Sequence, residues 1–160
     1  EIEIGEPDVK RAGSDITILT VGATLYSAME AAKILEEKYG ISAEIIDARS
    51  LVPFNYEKVV ESVKKTGRIV LASDACARGS HLNDVARNIT ELCFNYLDAP
   101  PVLIGAQNWI TPCAELEKEF FPQAQWIIDA IDQKIMPLGI SKPTHNFTQV
   151  EQIKREKAGV

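Results

Sequence analysis

Short runs of β-branched and apolar residues alternate along this chain with longer segments that carry apolar side chains at helical spacing. Such alternation is typical of βαβ units, and it predicts an α/β domain with a mainly parallel sheet covered by helices on both faces. The predicted strands are residues 16–21, 42–47, 68–73 and 102–104, with residues 2–6 as a short edge strand.

Polar caps and glycines mark where the helices between these strands begin and end. Thr24 is predicted to cap the first helix and Gly40 to end it, whereas Asn55 caps the second helix and Gly67 ends it. A loop over residues 74–80 precedes a third helix that carries Leu82, Val85, Ile89, Leu92 and Cys93, and two more helices are expected at residues 114–121 and 123–136.

Composition restricts the possible partners. The chain has 160 residues and a net charge of −6. Nucleic acids and anionic membranes bind proteins that present a positively charged surface. We therefore expect neither partner, and no apolar run approaches the ~20 residues of a transmembrane helix. The three cysteines are odd in number and scattered, so they form no disulfide framework or zinc motif and indicate a reducing compartment.

The periodic pattern ends at Pro137, which divides the chain into a domain over residues 1–137 and an extension over residues 138–160. The first residue is Glu1, and the sequence starts within an alternating Glu-Ile phrase. We therefore expect this chain to be a piece of a longer polypeptide.

Ligands of open α/β sheets bind beyond the carboxyl ends of the strands, and the sequence offers little chemistry there. The turn after the first long strand has no glycine-rich phosphate loop, and Asp47 with Arg49 is best interpreted as a structural tether. Cys76 with His81 would make a nucleophile and base only if the intervening loop folded back, so an interface role is favoured. We therefore predict no catalytic, cofactor-binding or metal-binding residues, and we assign both tryptophans, Trp109 and Trp126, to core or interface.

Several phrases, taken in order, resemble the C-terminal domain of the transketolase family. They are residues 14–22, 28–32 and 45–53, and within that family residues 62–68 and 97–100 are similar to the beta subunit of 2-oxo acid dehydrogenases. The sequence departs from the family pattern at Asp74, Ser80, Leu103 and Asn108, all in or near loops.

This resemblance implies a three-layer α/β/α domain with a five-stranded, mostly parallel sheet. It implies that thiamine diphosphate and magnesium are bound mainly outside this chain, by an alpha subunit and by a preceding domain. It also implies contacts with an alpha subunit, a second beta subunit and the dihydrolipoyl acyltransferase core. The enzyme would decarboxylate a 2-oxo acid and transfer the acyl group to lipoamide, in a bacterial cytoplasm or a mitochondrial matrix. Candidate contact residues are Asp74, Arg78, His81, Asp84 and Glu91.

Two alternatives remain open at this point. The same domain could serve a transketolase or a 1-deoxyxylulose-5-phosphate synthase, although the phrase at residues 65–67 disfavours this. A stand-alone binding or redox module that uses Cys76 is the second alternative.

Overall fold

Five strands form one sheet in the computed structural model, which describes residues 3–140. The strand order is β1-β3-β2-β4-β5; β1 is antiparallel to β3, and all other neighbours are parallel. This confirms the predicted five-stranded, mostly parallel α/β fold. The strands are β1 (Asp8–Arg11), β2 (Ile16–Val21), β3 (Ala43–Asp47), β4 (Ile69–Cys76) and β5 (Val102–Ala106).

Helices cover both faces of the sheet and produce two apolar cores. They are α1 (Thr24–Tyr39), α2 (Glu57–Thr66), α3 (His81–Cys93), α4 (Glu117–Phe120) and α5 (Ala124–Lys134), with 3₁₀ turns at Phe94–Tyr96 and Ala114–Leu116. One core joins α1 and α5 to strand residues such as Ile18 and Val70, and the other joins α2 and α3 to Leu19 and Leu71. Successive side chains of one strand therefore enter different cores, as the pleat of a β-strand requires.

Two strand predictions were wrong in position or length. The edge strand lies at Asp8–Arg11 rather than at residues 2–6, because Pro7 ends the preceding turn and the next residues pair with β3. The last predicted strand before α3 continues through Asp74 to Cys76, where Cys76 pairs with Ala106 after an irregularity in the register.

The helix ends follow the predicted glycines, whereas neither predicted cap is the N-cap residue, which is Ala23 for α1 and Tyr56 for α2. Gly40 and Gly67 adopt left-handed conformations with φ of 66° and 70°, and the Asn55 Oδ1 accepts from the backbone N–H of Glu57 at 3.0 Å. Thr24 is instead the first residue of α1. Its one hydroxyl hydrogen is shared between the carbonyl oxygens of Val21 (2.8 Å) and Ala72 (3.0 Å), so Thr24 joins β2, α1 and β4.

A buried polar cluster, which we name the hydroxyl clip, fastens the end of α2 to the start of β2. The Thr17 Oγ1 lies 2.6 Å from the Ser62 Oγ and 2.8 Å from the Thr66 Oγ1. Beside it the Lys65 ammonium donates to the Glu44 carboxylate at 2.5 Å, and Glu44 is 5% exposed. Several residues of the phrase 62–68, which resembles the beta subunit of 2-oxo acid dehydrogenases, thus have a structural role.

Candidate functional site

The carboxyl ends of β2 and β4 meet at the point where the chain topology switches faces. The helix that follows β2 packs on one face of the sheet, and the helix that follows β4 packs on the other. Such switch points open a crevice in which α/β proteins bind ligands. Here the crevice is a cleft of about 390 Å³, the switch-point cleft, lined by Ala23, Thr24, Ser27, Asp74, Glu117, Lys118, Phe121, Pro122 and Gln123.

The polar groups of this cleft are mostly engaged in holding the protein together. Both hydrogen bonds of the Thr24 hydroxyl go to backbone carbonyls, and the Ser27 Oγ donates to the Pro122 carbonyl at 3.0 Å. Asp74 lies against Gly22, where an added Cβ would approach the Asp74 Oδ2 to 3.1 Å. The cleft thus combines the carboxylates of Asp74 and Glu117 with the ammonium of Lys118.

This set of side chains does not fit thiamine diphosphate with magnesium. The lining offers a diphosphate only the Lys118 ammonium as a cationic partner, no glycine-rich loop follows β2, and the Thr24 hydroxyl hydrogen is already engaged by backbone carbonyls. Among residues 3–140, no group of three or more His, Cys, Asp or Glu side chains could hold a metal ion. That the cofactor binds mainly outside this chain stays a prediction.

The thiol and imidazole of the loop before α3 do not form a catalytic pair in the described part of the chain. The Cys76 Sγ donates to the Asn108 Oδ1 at 3.4 Å, not to His81. His81 begins α3 directly after Ser80, whose Oγ accepts from the Leu82 backbone N–H at 3.2 Å. The Asn83 amide donates to the Ala77 carbonyl at 2.9 Å, so side-chain hydrogen bonds to the backbone hold this turn.

The five candidate contact residues do not form one patch. Asp74 lines the switch-point cleft, whereas Arg78 and His81 are half-buried in the turn that leads into α3. Asp84 and Glu91 lie on exposed positions of α3 about 10 Å apart, at 1.5 Å rise per residue. The Glu91 carboxylate accepts from Arg87 at 2.6 Å, so only part of its charge is available to a partner.

An exposed apolar surface, which we name the apolar rim, follows β5 and was not predicted. Trp109 is 61% exposed, Ile110 92% and Leu116 52%. The Trp109 ring lies 6.4 Å from the ring of buried Phe120, so its inner edge rests on the domain. Trp126 is a core residue at 2% exposure. In the sequence, Trp109 and Ile110 lie within a loop rich in Gly, Asn and Pro, and this position was the available indication that they are exposed.

Asp47 and Arg49 act as a structural tether, as the sequence analysis favoured. The Asp47 Oδ1 accepts from the Arg49 backbone N–H at 3.1 Å, and the Arg49 guanidinium binds the carboxylate of Asp8 on β1. A hydrogen bond from Lys10 lowers the pKa of Asp8, and the charge of Arg49 adds to this effect against the opposing influence of burial. The pair therefore anchors the edge strand to the loop after β3.

Among the helices that the structure describes, none has the length and apolar character needed to cross a bilayer.

Comparison with known proteins gives consistent matches. Residues 5–127 match the family model for the C-terminal domain of transketolase. The chain is 43% identical over 100 residues to the mitochondrial 2-oxoisovalerate dehydrogenase subunit beta of Dictyostelium discoideum, covering 62% of this chain and 27% of that protein. It is 42% identical over 121 residues to the 2-oxoisovalerate dehydrogenase subunit beta of Bacillus subtilis, and this match covers 75% of this chain and 37% of that protein.

A solved structure supports the same fold. It is described as a split-gene transketolase in an inactive beta4 tetramer, with a TM-score of 0.71 and 28% identity; the match covers 86% of this chain and 44% of that one. The chain therefore spans less than half the length of these relatives.

Proposed function

The chain belongs to the transketolase C-terminal domain family, and from that membership we propose that it is the interface domain of a beta subunit in a thiamine-diphosphate-dependent 2-oxo acid dehydrogenase. The observation that carries the proposal is the 42% identity over 121 residues to the subunit beta of a 2-oxoisovalerate dehydrogenase. In this proposal the domain contributes to assembly, while decarboxylation of the 2-oxo acid and acyl transfer to lipoamide take place on neighbouring domains.

The surface chemistry of the domain supports an assembly role. Trp109, Ile110 and Leu116 are exposed apolar side chains within eight residues of the segment that follows β5, and exposed apolar patches on a protein surface mark contact sites. Aromatic residues of this kind are enriched among the side chains that dominate binding energy. We assign the apolar rim to the contact with the alpha subunit or with a second beta subunit.

A second contact is proposed for the outer face of α3. Asp84 is exposed, and Glu91 is exposed about two turns further along the same face of the helix. We propose that these carboxylates meet the basic subunit-binding domain of the dihydrolipoyl acyltransferase core, where they would mainly increase the association rate. The compartment follows from the same proposal: a bacterial cytoplasm or a mitochondrial matrix.

The experiment that tests this proposal uses the whole protein that carries the chain together with its candidate alpha subunit. Native mass spectrometry and sedimentation should show a heteromeric complex, and that complex should decarboxylate a branched-chain 2-oxo acid or pyruvate. Ile110→Asp should weaken the assembly about tenfold or more, because it places a charge inside a desolvated contact.

Phe94→Ser is the matched control. Phe94 is 73% exposed but lies near the residues that precede β5, whereas the apolar rim follows the carboxyl end of that strand. It should leave assembly unchanged. If the complex forms equally well with Ile110→Asp, the rim is not the contact. If no complex forms and no 2-oxo acid is consumed, the proposed enzyme class is wrong.

A transketolase is the second candidate, because a structure described as a split-gene transketolase matches with a TM-score of 0.71. A separate beta chain is therefore compatible with either enzyme. Ketol transfer between sugar phosphates, measured beside 2-oxo acid decarboxylation on the same preparation, distinguishes the two candidates.

A further inference from the structure

Three charged side chains line the switch-point cleft without an ion pair of their own. Asp74, Glu117 and Lys118 are exposed, and no salt bridge within residues 3–140 involves any of them. The hydroxyls of Thr24 and Ser27 differ in this respect, because both donate to backbone carbonyls. The cleft therefore holds charges of both signs that are available to a ligand.

The two signs of charge come from different elements, and tertiary contacts fix how these elements lie. Asp74 belongs to β4 and lies against Gly22, the residue that follows β2. Lys118 belongs to α4, and the chain that leaves α4 is held to α1 because the Ser27 hydroxyl donates to the Pro122 carbonyl at 3.0 Å. A preformed cleft with a few convergent polar groups is the usual form of a small-molecule site.

The balance of these charges selects the kind of ligand. With two carboxylates and one ammonium, the charged lining carries a net charge of −1, which disfavours a polyanion. A simple amine would pair with Asp74 but would leave Lys118 unpaired, and a simple carboxylate would do the reverse. A small molecule that carries both an ammonium and a carboxylate complements both side chains.

Size and apolar lining restrict the ligand further. The cleft has a volume of about 390 Å³, whereas sites for small molecules span about 300–1,000 Å³, so the ligand is small. Ala23, Phe121 and Pro122 supply the apolar part of the lining; Phe121 is half-buried and Pro122 is buried. An apolar group of the ligand that covers this part is removed from water, which favours binding.

We propose that the switch-point cleft binds a free α-amino acid with an apolar side chain. The carboxylates of Asp74 and Glu117 accept from the ligand ammonium, and the Lys118 ammonium binds the ligand carboxylate. Phe121 contacts the apolar side chain. Because the charged groups are exposed and screened by solvent, the expected Kd is on the order of 1 mM. This inference goes beyond the proposed function and does not depend on it, since the ligand takes no part in decarboxylation.

A saturation-transfer NMR titration with L-leucine as the probe tests the proposal on the whole protein that carries this chain. L-leucine should bind with a Kd on the order of 1 mM. Two analogues separate the charges, since 4-methylpentanoate lacks the ammonium and 3-methylbutylamine lacks the carboxylate. Each should bind about tenfold more weakly or worse, because it leaves one sign of charge in the cleft without a partner.

Variants that remove one charge locate the binding. Asp74→Asn and Lys118→Gln should each weaken L-leucine binding about tenfold and leave Tm unchanged, because neither side chain forms an ion pair within residues 3–140. The two positions lie on different elements, so one variant suffices if the other fails to fold. Glu119→Gln and Lys33→Gln are the matched controls; both positions are exposed and lie outside the lining of the cleft, so binding should equal that of the wild type.

Four results would overturn the proposal. The first is a wild-type protein that does not bind L-leucine, and the second is an analogue that binds as tightly as L-leucine. The third is L-leucine binding that neither Asp74→Asn nor Lys118→Gln weakens, because the amino acid would then bind elsewhere in the protein. The fourth is inorganic phosphate that binds more tightly than L-leucine and loses this binding in Lys118→Gln, which would identify an anion site instead.

Discussion

The hydroxyl clip predicts a measurable loss of stability when Thr17 is replaced by valine. Valine has nearly the same shape as threonine, so Thr17→Val opens no cavity and removes only the hydroxyl. That hydroxyl shares hydrogen bonds with Ser62 at 2.6 Å and Thr66 at 2.8 Å, and all three residues are buried. The variant therefore isolates the contribution of two buried hydrogen bonds.

The size of the stability loss depends on which hydrogen bonds Ser62 and Thr66 can still make in the variant. A buried hydrogen bond contributes about 0.5–1.5 kcal/mol net, so two give about 1–3 kcal/mol. The Thr66 hydroxyl still donates to the Arg68 carbonyl at 3.1 Å, and in the variant the Ser62 hydroxyl hydrogen is free to turn from Thr17 to the Glu44 carboxylate. Neither partner is left without a hydrogen bond, so we expect a loss of about 1–2 kcal/mol, or roughly 2–8 °C in Tm for a domain of this size.

A double-mutant cycle in urea measures the interaction directly. Thr17→Val and Ser62→Ala are measured singly and together, and the free energies of unfolding should deviate from additivity by at least ~0.5 kcal/mol. Additive effects, or a Thr17→Val protein as stable as the wild type, would show that the clip does not stabilise the fold.

Three further predictions concern other parts of the molecule. Gly13→Ala should destabilise the domain by more than about 3 kcal/mol in urea denaturation, because the added Cβ would lie 2.3 Å from the Ala43 carbonyl carbon; a loss below ~1 kcal/mol would contradict this. Burial raises the pKa of Glu44, but hydrogen bonds from Lys65, Ser62 and Gly13 outweigh burial and lower it overall, so Glu44 stabilises the fold above its ordinary pKa and loses this contribution as the pH falls. Glu44→Gln should therefore flatten the dependence of Tm on pH below about pH 4.3 and lower Tm at pH 7. If the curves of Tm against pH for the variant and the wild type were parallel, Glu44 would not be the group responsible. Cys76→Ser should leave 2-oxo acid decarboxylation unchanged in the assembled enzyme, because its thiol contacts Asn108 rather than His81; lost activity in a complex that still assembles would contradict the prediction that the chain has no catalytic residue.

The parts of the fold that sequence predicts well are those decided by local physics. The run at Ile16–Val21 is β-branched and apolar, so it forms a strand in almost any context, and Gly40 and Gly67 end helices because they adopt positive φ without strain. The short polar strand Asp8–Arg11 is different, since only its pairing with β3 identifies it as a strand.

Tertiary contacts account for the remaining errors. Ser73 and Asp74 are typical of turns, yet the strand continues through them because Cys76 pairs with Ala106. The thiol of Cys76 faces Asn108, which is 32 residues away in sequence, and spacing within the loop gives no indication of that contact. The exposure of Trp109 depends likewise on where the chain after β5 lies, because tryptophan is common in both cores and interfaces.

The sheet separates two apolar layers, with α1 and α5 on one side and α2 and α3 on the other. An evolutionary consequence follows from this separation. Substitutions on α3 repack one layer, while the layer that carries α5 keeps its own set of contacts. Within a lineage of such proteins, the surface of α3 and the contacts that hold α5 are therefore free to diverge independently on one shared sheet.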